Sequence, residues 1–191
     1  MIILNVLVWV AQLVFREQFL TGYIALWPVD SPFFEPYQIF THMFAHSVPG
    51  PTHILFNMFM LWMFGKTLEN VWGPKRFLAF YLICGIGAAA AHLLIQYLTG
   101  GFAFVVGASG AIFGVFAAFA MLFPNTEMYM MFFPMPIKAK WLVIGSMAID
   151  LFGGISRTPG DNIAHFAHLG GAVTGIIIVL IWNKTNKKTL Y

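Results

Sequence analysis

Three short stretches of this chain carry side chains that hydrolytic chemistry needs. His53 and Asn57 are the ends of His-Ile-Leu-Phe-Asn, and Ser109 sits in Gly107-Ala-Ser-Gly110. His165 and His168 occur in Ala164-His-Phe-Ala-His-Leu-Gly-Gly171. A serine hydroxyl is a weak nucleophile until a neighbouring base accepts its proton, and histidine suits that task near neutral pH. Four residues apart, His53 and Asn57 share one helix face, and both can donate hydrogen bonds to an oxyanion. Free amides at a helix start after Gly107 would serve the same end. Gly107 and Gly110 leave room for another chain to approach Ser109 closely. His165 and His168 are one turn apart on one face, so spacing alone leaves both open as the base.

Those residues lie in a chain that cannot be a soluble globule. It has 191 residues, 60% of them hydrophobic and only 9% charged, with a mean hydropathy of +0.81. Soluble domains carry about 25% charged residues. Six segments approach the roughly 20 apolar residues that a membrane span requires: 2–19, 52–70, 74–98, 108–123, 137–155 and 163–183. The sequence therefore predicts an all-α membrane protein, a single six-helix domain over residues 1–191 with the bilayer as its solvent. The stretch 20–51 holds Pro28, Pro32, Pro36, Pro49 and Pro51 among aromatic residues. It is predicted to be a structured first loop at the interface, with a short helix over 37–46. The start, MIILNVLVWV, lacks the basic region of a signal peptide and reads as a retained span. Its abrupt apolar beginning is read as a short missing native segment ahead of a minimal core. Cys84 is the single cysteine, so no intramolecular disulfide forms. The net charge of +3 comes with no basic block beyond Lys184, Lys187 and Lys188, so no nucleic-acid partner is expected.

Charge sets the orientation. Lys66, Lys75, Arg76, Lys138, Lys140, Lys184, Lys187 and Lys188 fall on one side of a six-span arrangement, and Arg16 and Arg157 on the other. The positive-inside rule makes the first side cytoplasmic and places both chain ends there. All the chemistry-bearing residues then gather at outward helix ends. His168, with its helix starting near 163, should lie roughly 7 or 8 Å beyond that start. The Ser109 helix, ending at Pro124, spans roughly 22 Å, too short to cross alone, so the backbone before it must dip inward beside a water-filled cavity. Gly110 with Gly114, and Gly171 with Gly175, form small-xxx-small stripes that allow two helices to touch closely. Those stripes can bring Ser109 and His168 together.

With these residues in place the chain resembles the rhomboid intramembrane serine proteases. The resemblance rests on His53-x-x-x-Asn57, Gly107-x-Ser109-Gly110 and Ala167-His168-x-x-Gly171, in order on the predicted spans. Thr41-His42 through His46 and Leu68-Glu69 through Gly73 are also similar to family segments. It implies Ser109 as nucleophile and His168 as base and then acid, with the Ser109 amide, His53 and Asn57 as the oxyanion hole. Gly107, Gly110, Gly171 and His165 become supporting residues, and neither metal nor cofactor is implied. The implied chemistry is a Ser-His dyad without a carboxylate. The implied substrates are membrane-anchored proteins, cut near the outer end of a transmembrane segment, at a plasma or inner membrane. Small residues before the scissile bond and helix breakers nearby are favoured. One departure concerns the first loop, where the family often has a Trp-Arg pair and this chain has no Arg after Arg16.

Blander readings compete. Asp150 can orient a histidine, but a structural hydrogen bond is the commoner role for such a residue. His92 reads as a satisfied interhelical group. His42 and His46, with His165 and His168, have spacings compatible with a metal, yet loop-anchoring hydrogen bonds rank above that. A catalytically inactive rhomboid-like binding protein is the main alternative, although members of that kind usually lack the serine or the histidine. An ion pathway would need polar groups through the whole membrane thickness. The loops 99–107 and 156–162 are candidate covers.

Overall fold

The computed structural model describes residues 1–15, 17–130, 133–156 and 164–185. The predicted first span divides into α1 (Ile2–Val14) and α2 (Glu17–Ile24). Gln12, buried in the apolar face of α1, explains where the first loop is tied. Its side-chain amide Nε2 donates to Thr21 Oγ1 at 2.7 Å and to the His46 carbonyl at 3.0 Å. Its Oε1 accepts the His46 amide at 3.0 Å. A buried amide costs free energy unless every polar atom is paired, so Gln12 specifies the loop's position.

The first loop contains α3 (Gln38–Thr41) and a following 3-10 turn (His42–Phe44), within the predicted stretch 37–46. Gln38 repeats the device of Gln12. Its Nε2 donates to the Tyr23 and Phe33 carbonyls, and its Oε1 accepts the Trp27 amide. A single antiparallel bridge joins Leu26 to Val105. The loop preceding Ser109 is thereby held by the first loop.

The second predicted span is α4 (Thr52–Met60), a π-helical turn (Leu61–Gly65) and α5 (Lys66–Trp72). Gly73, at φ +79°, ends it, and Pro74 opens α6 (Pro74–Thr99), the position where proline's missing N–H costs nothing. After α7 (Ser109–Leu122) comes a β-hairpin absent from the all-α expectation, β1 (Glu127–Met130) and β2 (Phe133–Lys138), paired antiparallel. It fills most of the connection between the predicted fourth and fifth spans and overlaps the fifth only at Ile137 and Lys138; Pro134 and Pro136 keep that stretch from joining the helix. The helix there, α8 (Ala139–Ser156), begins two residues later than expected, and α9 (His165–Thr185) closes the described fold.

The fold is thus mostly helical, a membrane protein rather than six uniform rods. Three stretches, Pro74–Thr99, Ala139–Ser156 and His165–Lys184, are long and apolar enough to cross a bilayer by themselves. The apolar helices Ile2–Val14 and Ser109–Leu122 are shorter. At about 1.5 Å per residue, α7 extends only about 21 Å. It is nonetheless the centre of the bundle, buried from Gly110 to Ala120 except at the half-buried Phe113, as a helix apolar all round should be. The helices around it turn Leu94, Phe152, Ile155, Ile177 and Ile181 outward, where lipid is the solvent that suits them.

Helices α7 and α9 meet backbone to backbone. A Cβ on Gly171 would overlap the Gly110 carbonyl oxygen, and one on Gly175 would lie 2.7 Å from the Gly114 oxygen. A Cβ on Gly114 would be 2.8 Å from the Gly171 oxygen. In lipid, where burying apolar surface drives little association, such close approach carries the helix–helix energy. Replacing Gly171 by valine must separate the helices, and it should cost at least about 3 kcal/mol, the upper range for overpacking. Gly145→Ala, at a helical position with nothing near, should be neutral or stabilising by about 0.5–1 kcal/mol. Thermal unfolding in detergent checks both; equal melting temperatures for the two variants would contradict the packing.

Candidate active site

Ser109 opens α7, so its amide and those of Gly110 and Ala111 precede the first intrahelical bond, from Ile112 N–H to the Ala108 carbonyl at 3.0 Å. Free N–H groups at a helix start attract negative charge. Gly107, two residues earlier, adopts φ +129°, which side chains rarely allow. Its N–H donates to the His42 carbonyl at 2.9 Å. The 3-10 turn of the first loop therefore holds the approach to Ser109 in place.

The His53 ring lies against Gly107. A Cβ there would be 3.0 Å from His53 Cε1 and 3.1 Å from Nε2. On the other side, the Ser47 N–H donates to His53 Nδ1 at 3.1 Å. A neutral imidazole that accepts at Nδ1 carries its proton on Nε2, so the N–H of His53 is presented beside the Ser109 segment. Asn57 is buried one turn further along α4, and one of its two amide protons goes to the His53 carbonyl at 2.8 Å. The His46 ring packs at a 5.2 Å centroid separation from His53.

From α9, His168 Nε2 comes within 2.9 Å of Ser109 Oγ. Phe113, one turn after Ser109 on α7, stacks on the His168 ring, with centroids 4.3 Å apart and planes inclined by 4°. His168 Nδ1 is 3.0 Å from Asp150 Oδ1. The same oxygen lies 2.7 Å from His165 Nδ1. Gly153 of α8 makes room for that second ring: a Cβ there would fall 2.5 Å from His165 Cε1. With α9 starting at His165, His168 is about 4.5 Å along its axis, shallower than the sequence alone suggests.

Other sequence candidates go elsewhere. His42 Nδ1 donates to the Gln38 carbonyl at 2.9 Å, and His46 Nδ1 meets the Phe44 carbonyl at 3.3 Å. Both rings hydrogen-bond within the first loop, though His46 Nε2 is buried without a partner, and among the described residues they form no metal-sized cluster with His165 and His168. His92 is satisfied in part: its ring interacts with the Ala103 backbone, while its Nε2 is buried without a hydrogen-bond partner. Of the loop 156–162, residues 157–162 lie outside the described residues. In the loop 99–107, Trp27 packs against Phe104 and Phe102. Phe113 was not singled out from sequence, although its i+4 spacing from Ser109 places it on the same face.

A model of the Rhomboid domain matches residues 34–184. The chain is 33% identical over 136 residues to the presenilin-associated rhomboid-like protein, mitochondrial, of Bos taurus, covering 68% of this chain and 36% of that protein. It is 34% identical over 128 residues to Rhomboid protein 1, mitochondrial, of Saccharomyces cerevisiae, covering 65% of this chain and 36% of that one. Rhomboid-like protein 11, chloroplastic, of Arabidopsis thaliana is 28% identical over 171 residues, covering 78% and 53%. The chain belongs to the rhomboid family, whose members are generally serine intramembrane proteases. It spans between about a third and a half of the length of these curated relatives.

Burial in the first loop has a pH consequence. It holds both His42 and His46 down at about 4 from an ordinary 6.5, with nearby His53 adding to the effect on His46. Between these values the unfolded chain binds protons that the folded chain excludes, so stability is complete above pH 6.5 and is lost as pH falls toward 4. The melting temperature in detergent should therefore drop from pH 7 to pH 4.5, and drop less steeply in His42→Gln. A flat profile would contradict the burial of these rings as neutral groups.

Proposed function

We propose that this chain is an intramembrane serine endopeptidase that cleaves transmembrane protein substrates near the outer membrane face through Ser109 and His168. The observation that carries the reading is the 2.9 Å approach of His168 Nε2 to Ser109 Oγ. In this account, His168 Nε2 accepts the hydroxyl proton as Oγ bonds to the scissile carbonyl carbon. The carbonyl oxygen becomes an oxyanion. The Ser109 amide, His53 Nε2–H and the remaining Asn57 amide proton are the donors proposed to receive it. His168 then returns the proton to the departing amine, leaving an acyl-serine, and repeats both transfers with water to release the acid and restore Ser109.

Ser109 itself is only half-buried, which leaves its hydroxyl open to a peptide chain. A bond inside a helical substrate is shielded by its own turns, which is why helix breakers beside it should favour cleavage. Both chain ends are proposed on the lysine-rich side of the membrane, with the site opening on the opposite side. By name the relatives are mitochondrial and chloroplastic proteins, so they lend no support to a plasma-membrane address for this chain.

The test is cleavage of a transmembrane model substrate in proteoliposomes. Wild type should cut it with or without a chelator, and Ser109→Ala should give background only. Equal cleavage by Ser109→Ala would sink the reading. Within the same assay, Asn57→Ala should lower kcat by about 10²- to 10³-fold, the loss seen when one oxyanion donor is removed. Unchanged kcat would remove Asn57 from the proposed hole.

A further inference from the structure

Asp150 is the buried carboxylate of α8, in the apolar depth of a span. An ionisable group there is expensive and calls for a named partner. A structural tie between α8 and α9 needs one histidine, and His165 at 2.7 Å provides it. The second approach, 3.0 Å from the same Oδ1 to His168 Nδ1, is not needed for such a tie. It places carboxylate, imidazole and serine hydroxyl in sequence, with the two ring nitrogens of His168 facing opposite partners at 3.0 and 2.9 Å.

That order decides the tautomer. A carboxylate only accepts, so His168 Nδ1 must be the N–H and Nε2 the lone pair. This is the form that can take a proton from Ser109. The Phe113 stack fixes the plane of the ring but is indifferent to which nitrogen is protonated. In the described structure, selection of the tautomer falls to Asp150.

We propose that Asp150 is a positioning residue that completes a Ser109–His168–Asp150 relay, with His165 as the second donor that holds its carboxylate in line. The proposal rests on the protease reading and replaces a dyad with a triad. Proton accounting stays simple. The Ser109 proton moves to His168 Nε2 as the Oγ–C bond forms, and the imidazolium keeps its Nδ1–H toward Asp150. Asp150 carries its negative charge throughout and is never protonated. The proton on Nε2 leaves with the amine. His165 donates to Asp150 and exchanges no proton with substrate.

The experiment compares wild type, Ser109→Ala, Asp150→Asn and His165→Gln in the same liposomes, measuring kcat, KM and melting temperature. An asparagine at 150 keeps the shape but can donate to Nδ1, which selects the wrong tautomer. Asp150→Asn should lose about 10³- to 10⁴-fold in kcat, comparable with the loss when a triad aspartate elsewhere is amidated, with KM within about threefold. His165→Gln should lose no more than about tenfold. Activity of Asp150→Asn within tenfold of wild type, with Ser109→Ala dead, would overturn the relay and leave the protease reading standing. Equal kcat losses in Asp150→Asn and His165→Gln, accompanied by equal losses of melting temperature, would also overturn it, since a structural tie alone gives that pattern. An inactive wild type would remove the protease reading and the relay with it.

Discussion

The close contact between α7 and α9 at Gly110 and Gly171 is the constraint on which the rest of the structure depends. Ser109 precedes Gly110 by one residue, and His168 precedes Gly171 by three. When the two backbones touch, the side chains at the mouth of the same groove are brought within hydrogen-bond reach. Any side chain at Gly171 must push the Gly110 carbonyl away, and the serine moves with it. In a medium that gives little reward for burying apolar surface, this contact sets distance and registers chemistry in one feature.

A second layer holds the approach to the serine, and it is made of amides. Gln12 and Gln38 are buried in greasy surroundings, so each must satisfy its polar atoms with specific carbonyls and amides of the first loop. The loop they fix in turn offers the His42 carbonyl to Gly107 and the Ser47 amide to His53. Rigidity passes from two glutamines through the loop to the serine segment and to the tautomer of His53. Preorganised donors of this sort are what make an oxyanion hole effective.

Much of the arrangement is legible in the letters, for physical reasons that can be named. Low charge and long apolar runs declare a membrane protein, and glycines at four-residue spacing announce tight helix pairs. The short α7 is visible from Pro124, and the motif residues on α4, α7 and α9 stand out because polar groups are rare in spans. The β-hairpin is not legible because it falls almost wholly in the connection between the predicted fourth and fifth spans, where Pro134 and Pro136 mark the absence of a helix but do not announce strand pairing. The break after α1 was missed because no proline marks it. Asp150 reads from sequence as a structural hydrogen-bonding group, since nothing in one sequence says which of two histidines a carboxylate will face. His92 shows another limit: a histidine in a span invites partners, and it reaches the Ala103 backbone while its Nε2 stays without one.

The central claim is that Ser109 is a nucleophile because His168 makes it one. The direct measurement is peptide mapping by mass spectrometry after treatment of the membrane-embedded chain with a fluorophosphonate. The account predicts a single adduct on Ser109 that is lost in His168→Ala, while other serines such as Ser146 and Ser156 remain unmodified. An adduct that persists on Ser109 at the same rate in His168→Ala would contradict it.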